Sequence, residues 1–403
     1  MTLLRRDRDL RVDFFRGLAL WWIFCDHVPG DALGDWSLRN FALCDATEVF
    51  VLLAGFGAGT AYGGAMDRHG WLYAAADAVR RAWTLYIAHI FLFVVFSAQV
   101  AYSAAALDRS EYLDEIHLDV LAEQPYRALL EALILRFQPG YLNILPLYVV
   151  LLLLFALALP LLRRPWVLMT LSVGLYAAAR LVPLNLPSWT GGGWFFNPFA
   201  WQLLFAIGAV LAHSARTGVP RLQPALTRAA PLLTVGSCGM LVFGAVVIWC
   251  VWGNEDVLPR LPPGLQHLLL GIDKTGLHPA RLGSILALVW LVTRLLPASA
   301  PWLRGRVAAP LVLIGQHSLP VFCFGIFLAF LGRLAMEADD GVAAQLAVNI
   351  VGALALVSVG ALAAWYRAKG REVRGAANAA AAGAPAGRAV ARVLPAASPA
   401  DTG

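Results

Sequence analysis

The sequence predicts an all-α, polytopic integral membrane protein. Composition carries the first part of that reading: 60% of the 403 residues are hydrophobic and 14% are charged. A soluble domain has about 45–50% apolar and about 25% charged residues. The second part is spacing. Apolar runs of about 17–25 residues recur along the chain, the length a helix needs to cross a hydrocarbon core. The net charge of +6 lies in short clusters between those runs, which is a topology signal and not a nucleic-acid signal.

Ten spans are expected, near residues 12–29, 41–63, 82–106, 142–162, 165–184, 195–213, 229–252, 281–297, 309–332 and 343–366. The first follows a basic stretch, Leu3 to Arg11, too charged to be a cleavable leader. It also carries Asp13, Arg16, Asp26 and His27. The second opens with Asp45 and Glu48 on one helix face, then presents Gly55, Gly59 and Gly63 as a flat ridge for a neighbouring helix. Arg80 and Arg81 precede the third span, and Arg163 and Arg164 separate the fourth from the fifth. The sixth is entered through a loop of glycines and aromatics, followed by Asn197, Trp201 and Gln202. A glutamine inside lipid needs a protein partner.

Asp273 and Lys274 lie in the loop before the eighth span, which Arg281 opens. The ninth contains Gln316, His317 and Ser318. The loop from Leu107 to Gly140 is long and acidic, and Tyr126 to Phe137 has the pattern of a helix lying on a membrane surface. Residues 1–370 therefore read as one membrane domain, and 371–403 as a disordered cytoplasmic tail of Ala, Arg and Pro. No internal repeat is evident. The five cysteines lie in or beside apolar spans without metal-like spacing, so they read as small core residues and no metal site is expected. The minor alternative is a Cys25–Cys44 bridge near one membrane face.

Orientation follows from the cationic residues. With the N-terminus inside, 21 Lys and Arg fall on the cytoplasmic side and 8 outside. That predicts N-in and C-in. Arg16 then lies about one turn into the first helix and His27 near its outer end. They share one face, about three turns or roughly 16 Å apart. An ionisable group at that depth is costly, which marks it as functional.

A histidine oriented by a carboxylate is the usual general base. Glu48, entering from the same side, is the expected partner, because Asp26 points about 100° away from His27. The alternative is a structural histidine capped by a carbonyl. Arg16 has three readings: an ion pair with Asp13, a guide for an anionic acyl donor, or a snorkelling topology anchor. Arg80 and Arg81, and Arg163 and Arg164, border the cytoplasmic openings and suit the phosphates of a nucleotide-containing donor; plain positive-inside bias accounts for them equally well.

These blocks resemble a known family. Arg16 and His27, with ten residues between them, are similar to the paired signature of the acyltransferase-3 type membrane acyltransferases. Glu48-Val-Phe-Val-Leu-Leu-Ala-Gly55, Arg80-Arg81-Ala-Trp-Thr-Leu-Tyr86 and Gly315-Gln-His317-Ser-Leu-Pro-Val-Phe-Cys-Phe324 resemble three further segments of it. The OpgC branch, succinyltransferases of osmoregulated periplasmic glucans, is more similar still. Its hallmarks resemble the run from Arg8 to Gly17, the segment from Asp45, Asn143 to Tyr148, Asn197 to Gln202, Asp273-Lys274, and the segment around His317.

The resemblance implies a ten-helix fold in a bacterial inner membrane, a cytoplasmic acyl-CoA donor (succinyl-CoA in that branch) and a periplasmic glucan hydroxyl as acceptor. His27 becomes the catalytic base with Arg16 and Glu48 beside it, and Arg80, Arg81 and Arg16 bind the donor. Asp45, Asn197, Trp201, Gln202, Asp273, Lys274, Arg281 and His317 are candidates for the acceptor or the acyl carboxylate. No tightly bound cofactor is implied; membrane lipids and glucan-synthesis proteins are the further partners. Two departures stand out: the family aspartate of the second helix is Glu48 here, and the acidic residues usual in the fourth are missing from Leu142 to Tyr148. A transporter or flippase of a glycan or lipid-linked sugar is the alternative, and a non-catalytic synthase subunit is the third reading.

Overall fold

The computed structural model describes residues 9–218 and 222–383, and for 222–225 and 374–383 the backbone alone. Among the described residues the regular structure is all helical apart from one isolated bridge between Pro187 and Gly193. The helices are α1 (Leu10–Asp26), α2 (Ala46–His69), α3 (Trp71–Leu107), the short α4 (Glu111–Glu115), α5 (Asp119–Glu123) and α6 (Pro125–Leu133), then α7 (Ile144–Ala158), α8 (Pro165–Leu181) and α9 (Pro198–Thr217). There follow α10 (Leu222–Val246), α11 (Pro263–Leu270), α12 (Pro279–Leu295), α13 (Ala309–Gln316), α14 (Ser318–Ala338) and α15 (Val342–Gly383). Two compact units divide at Gly360: Met1–Gly360 and Ala361–Gly403.

Among the described residues, seven helical segments are long and apolar enough to cross a membrane: α2, α3, α7 with the 3-10 turn that follows it, α9, the segment Leu226–Trp252, α14 and Val342–Val373 of α15. The 17-residue helices α1, α8 and α12 occupy three more of the expected spans. Several expected boundaries move. The first span ends at Asp26, because Pro29 and the positive φ of Gly30 (78°) turn the chain away. The third begins eleven residues early, so Arg80 and Arg81 are inside α3 instead of before it. The ninth is broken at His317. Pro320 has no N–H to give the carbonyl of residue 316, and its ring crowds that turn. The tail expected to start at 371 begins inside α15, which continues to Gly383; residues 384–403 lie outside the described residues, as do Arg5, Arg6, Arg8 and Arg221 of the orientation count.

Close helix crossings set the core. A Cβ on Gly55, Gly59 or Gly208 would run into backbone of the facing helix, so α2 and α9 touch along the expected ridge. Gly63 instead faces the Arg216 side chain. A second crossing has no counterpart in the sequence reading: Gly17 of α1 and Gly315 of α13 each leave no room for a methyl against the other helix. All five cysteines are free, and Cys238 and Cys250 are exposed instead of packed in the core.

At one end of Met1–Gly360, α4 is pinned to α14. Arg333 pairs with Glu337 (2.7 Å) and with both oxygens of Glu115, and its guanidinium lies over Tyr112 (4.9 Å). α6 buries Ala128, Glu131 and Ala132 and leaves Tyr126, Leu129, Leu130 and Leu133 exposed. α6 thus presents an outward apolar face.

Candidate functional site

Two ends of the bundle matter. His27, the start of α2 and the start of α12 share one end; Gly70, the start of α1 and the end of α9 share the other.

At the His27 end, α2 opens with a capping box. The Asp45 carboxylate accepts from Thr47 N (2.7 Å), and Glu48 Oε2 accepts from Asp45 N (2.9 Å). Arg281, in the first turn of α12, donates Nε to Glu48 Oε1 (2.7 Å) and Nη2 to Asp45 Oδ2 (3.0 Å). Lys274 Nζ lies 2.6 Å from the same Asp45 oxygen and 5.7 Å from the Phe196 ring centre. Two carboxylates and two cations thus form a balanced quartet. Balance is needed, because Glu48 is fully buried and an unpaired charge there is costly.

The loop that delivers Lys274 is held through its backbone. Trp201 Nε1 donates to the carbonyls of Lys274 (3.1 Å) and Thr275 (3.2 Å), and Asn197 N donates to Thr275 O (3.1 Å). Asp273 accepts from Arg180 (2.9 Å) and from Gly276 N (2.5 Å), while Tyr176 donates to Leu277 O (2.8 Å). Burial pushes the Asp273 carboxyl up, but the Gly276 amide and the Arg180 guanidinium outweigh it and hold it below its usual range. Asn197 also caps α9 through Phe199 N (3.0 Å) and donates to Leu184 O (2.8 Å); Gln202 donates to Ser172 O (2.8 Å). These hydrogen-bonding groups of Asn197, Trp201 and Gln202, expected to meet an acceptor, are engaged with backbone.

His27 caps the end of α1. Its Nδ1 is 2.5 Å from Ile23 O. A carbonyl cannot donate, so Nδ1 carries the proton and Nε2 keeps the basic lone pair. The imidazole meets Tyr141 edge-on, with ring centres 4.7 Å apart. Lys274, Asp45 and Arg39 are its charged neighbours. Glu48 is not the orienting partner the sequence suggested. Its two oxygens are taken by Arg281 and the Asp45 amide, and Ile23 O orients the imidazole instead. Asp26 pairs with Arg39 (3.2 Å).

Toward the other end, Arg16 donates Nη2 to Leu53 O (2.8 Å) and lies against Gly57. Tyr148 of α7 is within electrostatic range of both Arg16 and Arg81. Arg16 comes from α1 and Arg81 from α3. Arg80 instead pairs with Asp77 (3.0 Å) with its side chain 80% exposed. His317 is buried at the α13–α14 break, next to Gln316, which donates to Asp13 (3.2 Å). That puts His317 at the level where α1 begins, far from the His27 end where an acceptor residue was expected.

A family model described as OpgC protein matches residues 8–368. The chain belongs to the OpgC family. No curated protein and no solved structure matches it. In this OpgC-family chain the resemblance blocks of the first, second, sixth and eighth spans converge on the quartet and His27, whereas the block around His317 does not. Two residues of the site escaped sequence reading. Tyr141 has φ +69°, rare for a side chain with a Cβ, and follows Gly140, whose amide donates to Ile116 O (2.9 Å). Arg180 reads in sequence as a basic residue in a last helical turn. The Asp45–Glu48 spacing did carry a capping-box signature that predicts where Glu48 Oε2 goes.

Proposed function

We propose that this chain is a membrane O-acyltransferase that moves a succinyl or similar acyl group from a cytoplasmic acyl-CoA to a hydroxyl of a periplasmic glucan. The wider kinship is the acyltransferase-3 type, with ten crossings, both termini cytoplasmic and the chain in a bacterial inner membrane. Membership of the OpgC family supports the class of reaction. The observation that carries the chemistry is the hydrogen bond from His27 Nδ1 to Ile23 O, which leaves Nε2 as a base with a defined direction.

In this reading Nε2 takes the proton of the sugar hydroxyl as its oxygen attacks the thioester carbonyl. The C–S bond breaks, and the imidazolium returns the proton to the departing thiolate. Arg81 and Arg16 guide the anionic donor inward from the Gly70 end. Tyr141 confines the imidazole, and Lys274 is the cation for the second carboxylate of succinate, since its side chain is 29% exposed against 13% for Arg281. The test is direct: full-length protein in nanodiscs receives labelled succinyl-CoA and glucan, and product is read by mass spectrometry. His27→Ala keeps its thermal unfolding midpoint and loses transfer. Wild-type transfer by His27→Ala removes His27 as the base, and glucan uptake into proteoliposomes without covalent product favours a transporter.

A further inference from the structure

The Gly70 end holds a cluster that none of these roles uses. Gly63 and Gly64 form a step with no side chains near the end of α2, and two arginines converge on it. A methyl built on Gly64 would sit 3.1 Å from Arg216 Nη1 and 3.3 Å from Arg68 Nη1. That brackets the two nitrogens within roughly 6.4 Å, a like-charge approach that is unfavourable without a counter-anion.

The available protein anion is insufficient. Asp67 takes Arg216 Nη2 at 2.8 Å, and the same nitrogen donates to His213 Nδ1 at 3.1 Å. Among the described residues nothing accepts from Arg216 Nη1, which is buried, or from Arg68. The negative end of the α2 dipole accounts for an arginine in the last turn. It does not account for a buried guanidinium nitrogen left without an acceptor, which native structures rarely tolerate. The turn carrying Arg163 also packs on α2 and α9, with Leu162 touching Gly63. Gly64 and Gly57 lie seven residues apart, on nearly the same face of α2 and about 10 Å along its axis. Arg16 covers Gly57, so the cluster stands two turns outside Arg16 on one continuous face.

We propose that Arg68 and Arg216, converging over Gly63 and Gly64, form a binding site for a phosphate ester. The two glycines leave room for the anion to reach both guanidinium groups, which present fork-shaped donors. The ligand is a nucleotide phosphate or an anionic lipid headgroup, and only the first source rests on the transferase reading above.

The experiment reads binding without turnover, so it stands apart from the fate of His27. Full-length protein in phosphatidylcholine nanodiscs is titrated with adenosine 3′,5′-bisphosphate and, separately, with phosphate-free pantetheine. Parallel nanodiscs containing phosphatidylglycerol report the lipid arm through the thermal unfolding midpoint. Arg68→Gln and Arg216→Gln should each weaken bisphosphate binding by about tenfold or more, leave pantetheine unchanged, and match wild type in unfolding midpoint without ligand. Arg260→Gln, in the loop at the opposite end, should bind as wild type. Loss in the variants of a phosphatidylglycerol-dependent midpoint rise, with no bisphosphate binding in any protein, assigns the site to the headgroup. If Arg216→Gln disturbs folding, the exposed Arg68→Gln carries the test alone. Wild-type responses to both probes in the double variant overturn the proposal.

Discussion

The two ends of the helix bundle handle buried charge in opposite ways. At the His27 end, Asp45, Glu48, Lys274 and Arg281 cancel within one quartet, and each carboxylate also accepts a backbone amide. At the Gly70 end, Arg68, Arg216 and Arg16 follow one another along α2, with Asp67 the carboxylate paired to Arg216. A saturated cluster positions backbone and leaves the partly exposed Lys274 ammonium as its outlet to a ligand. An unbalanced one keeps a field that attracts an anion. The first end therefore reads as a scaffold around His27, and the second as the approach for a charged substrate.

The sharpest way to break this contrast is to remove the proposed base. His27→Ala should lower transfer by roughly 10²–10⁴-fold, the span general-base catalysis supplies, with donor binding unchanged in titration. The quartet should respond in stability. Glu48→Ala strips Arg281 of a buried partner and should cost about 3–5 kcal/mol in unfolding measurements. The double variant Glu48→Gln with Arg281→Gln should cost less than the two single changes together. Additive costs would mean the two side chains do not act as a pair.

The helix crossing beneath both ends offers a third probe. Gly315→Ala forces α13 away from the Asp13 carbonyl of α1 and should destabilise by about 1–3 kcal/mol. The smallest effect is acid-dependent. The folded pKa of Asp273 is lowered, so its contribution is present above its unfolded value near 3.8 and is lost as pH falls through the folded value. Arg180→Ala brings the folded value back toward the unfolded one, so the acid-induced drop in unfolding midpoint below about pH 3.8 should shrink. An unchanged acid profile would show that the ion pair does not secure the Lys274 loop.

Much of the fold was legible because lipid restricts what a chain can do. Span length, basic connections and the Gly55–Gly59 ridge follow from local composition and helical phase. The break at His317 was also readable, since Pro320 removes an N–H that one uninterrupted helix would need. The capping box was present in the spacing of Asp45 and Glu48. Partner choice was not legible. The phase of a helix tells which residues share a face, and it does not tell which helix turns its own charge toward that face. Arg281 lies 233 positions from Glu48, and nothing in either segment names the other.

By itself, then, the sequence determined an all-helical membrane chain, the likeness to its family and the alignment of Arg16 with His27 on one helix face. These depend on hydrophobicity and on the 3.6-residue repeat, which act within a segment. The tertiary structure alone decided that Ile23 O orients His27, that Arg281 takes Glu48, that Tyr141 flanks the imidazole and that two arginines meet over Gly63 and Gly64. Those outcomes depend on which helices approach closely and at what register. Backbone contacts at Gly17, Gly55, Gly59 and Gly315 set that approach, between segments far apart in the chain.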